Sequence, residues 1–261
     1  MKFRRVNLIL FLTFLSFYGT GQLQPIGSWS AHLPFGSAIA VADTGASVVC
    51  ASPYGIFFIN KTENTIEKLT KVNGLTEIRI RSVAWNSAAN TLLIAYNNGR
   101  LDVLRQHQIY TINDINNSPI QQSKIINSIY FNGDLAYLST NYGILVTDPV
   151  KAEIKESYVI GNGGSAVPVS AVCVLHDTLF AACYEAVKYI SLSTGNPSDF
   201  SNWIAVDSAS GLPAGPASHI CNWKETVFAV RSDSIYRRNA DGRWLFIYND
   251  SANIRSLQAA P

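Results

Sequence analysis

Charge is scarce in this chain. Lys, Arg, Asp and Glu make up 15% of its 261 residues and nearly cancel, leaving a net charge of +2, whereas about a quarter of a typical globular domain is charged. So balanced a composition gives no bulk electrostatic reason to expect nucleic acid or an anionic surface as a partner. Histidine and cysteine are also few, four of each. No H-E-x-x-H, C-x-x-C or G-x-S-x-G occurs, which removes the common signatures of zinc hydrolysis, dithiol chemistry and a nucleophile elbow. No helical period is long enough to mark a helix after the first segment. Beyond that segment, no apolar run approaches the roughly 20 residues a spanning helix needs.

What is present is apolar and suited to strands. Hydrophobic residues reach 48% and aromatics 11%, and β-branched residues are frequent, which favours buried sheets. Gly55, Gly99 and Gly143 stand 44 residues apart (99 − 55 = 44; 143 − 99 = 44). Their windows read VVCASPYGIFFIN from Val48, LLIAYNNGRLDVL from Leu92 and AYLSTNYGILVTD from Ala136. Each is an apolar strand, a polar or aromatic pair, glycine and a second apolar strand. A period of about 40 to 50 residues with several strands per repeat marks a β-propeller.

The period drifts beyond the third glycine. A shift of 48 residues places Cys173, Asp177, Thr178, Phe180 and Ala181 on Cys221, Glu225, Thr226, Phe228 and Ala229. Further β-rich stretches at 65–69, 108–112, 152–159, 202–206 and 243–248 supply a fourth strand to each unit. Ile254-Arg255-Ser256-Leu257 echoes Ile80-Arg81-Ser82-Val83, which begins an inner strand. The expected fold is all-β, a β-propeller of about five four-stranded blades plus the start of a sixth, in an incomplete ring. On that reading the chain is an N-terminal part of a longer protein.

Its first residues read as a secretory signal. Lys2, Arg4 and Arg5 precede an apolar core at 6–18, and small residues Gly19, Thr20 and Gly21 precede Gln22. The expected domains are a signal peptide at 1–21 and the propeller at 22–261. Export permits disulfides, yet Cys50, Cys173, Cys183 and Cys221 all fall in strand-like stretches without metal-ligand spacing. A turn at His176-Asp177 pairs Cys173 with Phe180 and leaves Cys183 out of register, so free thiols packed as small hydrophobes are expected.

No catalytic, cofactor or metal site is expected. Asp134, Asp177 and Glu225 recur at one hairpin turn, where turn chemistry accounts for them. His107 and His219 read as surface or packing residues. The candidate contacts lie in the turns between the second and third strands: Tyr54 after Pro53, Asn97 and Asn98, Asn141 and Tyr142, Tyr184 and Glu185. In a propeller these turns repeat around one face, and such a ring of aromatic and amide groups suits sugars or peptides. The alternative is that Tyr and Asn simply fit a tight turn before glycine. Gly74, Gly211 and the run at 161–164 mark the connectors between blades.

Strand–(Tyr/Asn)-Gly-(Ile/Leu) turns with Gly-Leu connectors resemble the two-component regulator propeller repeats of bacteria. The segment Ile26-Gly27-x-Trp29-x-x-His32-Leu33-Pro34-Phe35, followed by SPYGIFF and KVNGLTE, resembles the N-terminal region of the PorZ family in the Bacteroidetes type IX secretion system. That resemblance implies a non-enzymatic surface scaffold or carrier in an attachment complex with a PorU-like sortase, PorV and PorQ. It implies assistance in delivering anionic lipopolysaccharide, a role tied to a C-terminal region that these residues do not include. No catalytic residue carries over. The alternative is a periplasmic glycan-sensing propeller of a hybrid two-component regulator.

Overall fold

Twenty strands follow one another in five antiparallel sheets of four in the computed structural model, which describes residues 35–250 and 254–257. The expected signal peptide and most of the family-like opening at 26–35 lie outside the described residues. The first blade comprises β1 (Ala40–Asp43), β2 (Ser47–Ser52), β3 (Gly55–Asn60) and β4 (Ile66–Thr70). The second comprises β5 (Ile80–Asn86), β6 (Thr91–Tyr96), β7 (Leu101–Arg105) and β8 (Gln108–Ile112), followed by a one-turn helix α1 (Asp114–Asn117). The third comprises β9 (Ile126–Asn132), β10 (Leu135–Thr140), β11 (Gly143–Asp148) and β12 (Glu153–Tyr158). The fourth comprises β13 (Val169–Leu175), β14 (Thr178–Cys183), β15 (Val187–Ser191) and β16 (Ile204–Ala205), and the fifth β17 (His219–Trp223), β18 (Thr226–Arg231), β19 (Ser234–Arg238) and β20 (Trp244–Asn249). Each sheet keeps sequence order from its inner to its outer strand, as in a propeller blade.

The middle strands show why sequence alternation is weak here. Every residue of β6, TLLIAY, is buried, because blades cover both faces of the sheet and period-two patterning disappears. The outermost strands meet water, and all of β20 after Trp244 is exposed. Apolar layers join successive blades. Val49, Ile56 and Leu92 pack in the first layer, Leu93, Leu138 and Leu145 in the second. Tyr137, Val172 and Leu179 fill the third, and Phe180, Val187 and Val227 the fourth.

Innermost strands β1, β5, β9, β13 and β17 pack one against the next, with no comparable packing from β17 back to β1, so the blades form an open arc. The expected first strand of a sixth blade is corrected. Residues 254–257 form no strand, since among the described residues no second strand offers them a ladder of hydrogen bonds. The fourth blade's outer strand also differs from expectation, shrinking from 202–206 to the two residues Ile204–Ala205. In this blade Ala186 stands where the first three turns carry glycine, and the fifth turn carries Ser232-Asp233.

The register sets Cys173 opposite Phe180, as the turn at His176-Asp177 requires. All four thiols are free, with Cys173 and Cys183 buried. Burial pushes the Cys173 thiol well above its ordinary range. Burial also raises the Tyr96 and Tyr158 phenols, and the carboxylates to which they donate, Asp102 and Glu156, raise them further. These groups stay protonated in the native state, whereas the unfolded chain releases protons near pH 8.5 (Cys) and 10 (Tyr). The stability they contribute is present below those values and is lost as pH rises through them. Thermal unfolding followed by circular dichroism should give a melting temperature that is flat near neutral pH and falls steadily above about pH 9. A melting temperature unchanged to about pH 11 would contradict the assignment.

Candidate functional site

Ala40 pairs with Ala51, Ile80 with Tyr96, Ile126 with Thr140, Val169 with Cys183 and His219 with Val230. The inner strands therefore begin beside the ends of the second strands. That register puts the turns between second and third strands, and the connectors entering each blade, on one face. Between the inner strands runs a channel of about 910 Å³.

At the turn face the channel wall is irregular in a repeated way. The pairing of inner and second strands shifts between Ile80 and Ser82, opposite Thr140, and between Val169 and Ala171. Arg81, Asn127 and Ser170 are the extra residues at these three bulges, a device that re-aims side chains. Asn127 Nδ2 donates to Asn141 Oδ1 at 3.0 Å and to the Val169 carbonyl at 2.8 Å, linking the third blade to the fourth.

The charge at this mouth has one sign. Arg79, Arg81 and Arg255 line the channel, and among the described residues its only lining carboxylate is Asp43. Asp43 ends β1, opposite Val48 and so at the other mouth, and Lys61 Nζ holds it at 2.6 Å. That contact, with the Gly45 N–H, lowers the Asp43 carboxyl below its ordinary value. Among the described residues, none of the three arginines forms an ion pair. His219 lies between the fifth blade and the tail. Its Nδ1 is 3.0 Å from Ser218 Oγ, and the Arg255 backbone lies close to its ring. Burial lowers its pKa, and the Arg255 backbone opposes that shift, so the imidazole is neutral near pH 7.

Buried polar side chains fix the connectors beneath this face. The Asp102 carboxylate, fully buried on β7, accepts from the Thr76 N–H at 2.9 Å, Thr76 Oγ1 at 2.6 Å, Tyr96 Oη at 2.6 Å and Thr111 Oγ1 at 3.0 Å. Lys188 occupies the equivalent register on β15. Its ammonium donates to the Ile160 carbonyl at 2.7 Å, Asn162 Oδ1 at 3.0 Å and Glu185 Oε2 at 2.8 Å. Opposite charges thus tie two different connectors to their blades.

The turn residues divide among distinct environments. Asn97 joins the channel lining, and its N–H donates to the Arg79 carbonyl at 3.1 Å. Asn98 Oδ1 accepts from the Arg100 N–H at 3.1 Å, while Asn141 is tied to Asn127 and Glu185 to Lys188. Tyr54 and Tyr184 are exposed at 41% and 68%, outside the channel wall. Tyr142 instead packs in the layer between the second and third blades, its hydroxyl buried without a partner among the described residues. The turns share a face, but their aromatic side chains do not converge. Sequence reasoning missed the arginines, although the repeated Ile-Arg-Ser at 80–82 and 254–256 was the available signal.

The family model described as the N-terminal β-propeller domain of PorZ of the type IX secretion system matches residues 48–204, more than half of the chain. Among solved structures, the chain is similar to PorZ, described as an essential bacterial surface component of the type IX secretion system of human oral-microbiomic Porphyromonas gingivalis. The TM-score is 0.74 at 19% identity, covering 83% of this chain and 28% of that one. It is also similar to the WD40 β-propeller domain of Doa1, with a TM-score of 0.59 at 12% identity, covering 80% of this chain and 67% of that one. No curated protein sequence matches. These two likenesses are of fold, and the chain spans little more than a quarter of the PorZ structure's length.

Proposed function

The chain belongs to the family of PorZ N-terminal β-propeller domains of the type IX secretion system, and from that membership we propose that it serves as a non-catalytic scaffold module of this machinery at the cell surface. The observation that carries the reading is the family match across 48–204, which takes in the first blade from its second strand, the whole of the second and third, and most of the fourth. An open arc of blades with a continuous turn face is suited to presenting loops to protein partners, since positioned loops on a rigid scaffold are where binding residues concentrate. The finer assignment is to the attachment complex, beside a PorU-like sortase, with assistance to the delivery of anionic lipopolysaccharide to cargo.

Deletion of the gene in its own bacterium tests the reading. Surface-attached cargo should fall at least about tenfold (about 1.4 kcal/mol if treated as an equilibrium) and accumulate inside the cell envelope, with recovery on complementation by the full natural gene. Photo-crosslinking groups placed at the exposed positions Tyr54 and Tyr184 should capture the sortase or its neighbours. Normal cargo attachment in the deletion strain overturns the secretion role. Normal capture of other envelope proteins, without the sortase, overturns the finer assignment.

A further inference from the structure

We propose that the turn-face mouth of the channel binds a small molecule carrying two or more phosphate or carboxylate groups, held by Arg79, Arg81 and Arg255. This site is separate from the secretion role and stands on its own observations. Three arginines line one cavity, and among the described residues none has an ion-pair partner and the one lining carboxylate, Asp43, is paired with Lys61 at the far mouth. Like charges gathered around one concave opening repel one another and give it a positive potential. In a chain whose net charge is only +2, that concentration is local and does not follow from composition.

Backbone features hold the arginines in place independently of their charge. Arg79 has a positive φ of 63°, a conformation that costs a non-glycine residue energy and persists only where its surroundings impose it. Here its N–H donates to the Pro53 carbonyl at 2.6 Å and its carbonyl accepts from the Asn97 N–H at 3.1 Å, so two turns of the ring clamp it. Arg81 sits on a β-bulge. Arg255 is carried by a segment with no strand ladder that runs beside His219.

The chemistry of the ligand follows from the donors. Guanidinium groups bind phosphate and carboxylate through paired N–H donors, and three of them exceed what a single oxyanion requires. The channel as a whole encloses about 910 Å³, so its mouth opens onto a space large enough to admit a small molecule. Phosphate and carboxylate offer the same recognition, so the probe decides between them.

Isothermal titration of the full natural chain with inorganic pyrophosphate and, separately, tricarballylate at low salt tests the proposal. At least one probe should bind saturably at one site, and raising the salt should weaken binding, as screening demands. Arg81→Gln should weaken it at least tenfold and Arg81→Gln/Arg255→Gln should abolish it, while Arg81→Lys retains part of the affinity. These side chains are exposed, so circular dichroism should report unchanged folding; if the double variant fails to fold, Arg255→Gln alone is read against the same tenfold criterion. Preference for pyrophosphate identifies a phosphate ligand and preference for tricarballylate a carboxylate one. Absence of saturable binding by both probes, or binding undiminished in the folded arginine variants, overturns the site.

Discussion

Asp102→Ala should lower stability by about 3–5 kcal/mol, since each buried donor left without its acceptor costs about 1–3 kcal/mol and several are stranded at once. Its carboxylate is fully buried, and among the described residues it has no cation within ion-pairing distance. Four donors converge on it. Truncation leaves the Thr76 N–H, two threonine hydroxyls and the Tyr96 phenol without their acceptor. It also frees the first connector from the second blade. Asp102→Asn separates charge from geometry. An amide oxygen at the Oδ2 position still accepts from the Thr76 N–H and Tyr96, while its NH₂ replaces Oδ1 and donates to the hydroxyls of Thr76 and Thr111, which can rotate to accept. Asp102→Asn should therefore cost about 1 kcal/mol, the difference between charged and neutral hydrogen bonds. Urea unfolding of the wild type and both variants checks the order. Asp102→Ala within about 1 kcal/mol of wild type would show that the connector is held by other contacts.

The repeat was legible because one physical requirement recurs at a fixed place. At Gly55 and Gly143 a Cβ would meet the backbone carbonyl of the fourth strand, from Leu69 and Tyr158 respectively. At Gly99 the Cβ would instead meet Ile115 and the Lys124 backbone, so it is close approach of another segment at this turn, in three successive blades, that writes a glycine period into the sequence. The same logic locates its failure. Ala186 replaces that glycine in the fourth blade, where the outer strand is reduced to Ile204–Ala205 and pairs with Lys188 and Tyr189. The tail illustrates a different limit: 254–257 carries the local pattern of an inner strand, but a strand is defined by its partner, which a four-residue echo does not supply.

The site was less legible than the fold. Asn97 reaches the channel and Tyr142 enters the core, although both occupy the same turn of successive blades. A residue's place in a turn fixes its backbone, while rotamer and blade contact decide which way its side chain goes. Arg81 was read as part of an apolar inner strand, because a bulge that turns its side chain into the channel has no residue signature of its own. Asp102 shows the opposite case. A carboxylate inside Leu101-Asp102-Val103-Leu104 conflicts with its apolar setting, and such conflicts mark buried polar constellations.

Gly143→Ala should destabilise the protein by about 3 kcal/mol, combining roughly 1–2 kcal/mol for a side chain in left-handed conformation with 1–3 kcal/mol for overpacking. Gly143 has φ +141°, and an added Cβ would fall far inside contact with the Tyr158 carbonyl oxygen, with the Tyr158 carbonyl carbon at 3.2 Å. Relief requires β12 to move, yet Tyr158 is paired with Ile144 and buried in the layer between the third and fourth blades. Tyr158 Oη also donates to Glu156 Oε2 at 2.5 Å, so the displaced residue is anchored at both ends. Gly45→Ala isolates the conformational part, since Gly45 has φ +83° with no atom within 4 Å of an added Cβ. It should cost only the strain, about 1 kcal/mol. For a domain of this size each kcal/mol moves the melting temperature by about 2–4 °C. Scanning calorimetry should therefore show a drop of roughly 6–12 °C for Gly143→Ala against about 2–4 °C for Gly45→Ala. Equal drops would mean that the period reports turn conformation alone. A larger drop at Gly143 ties this glycine to the approach of the fourth strand.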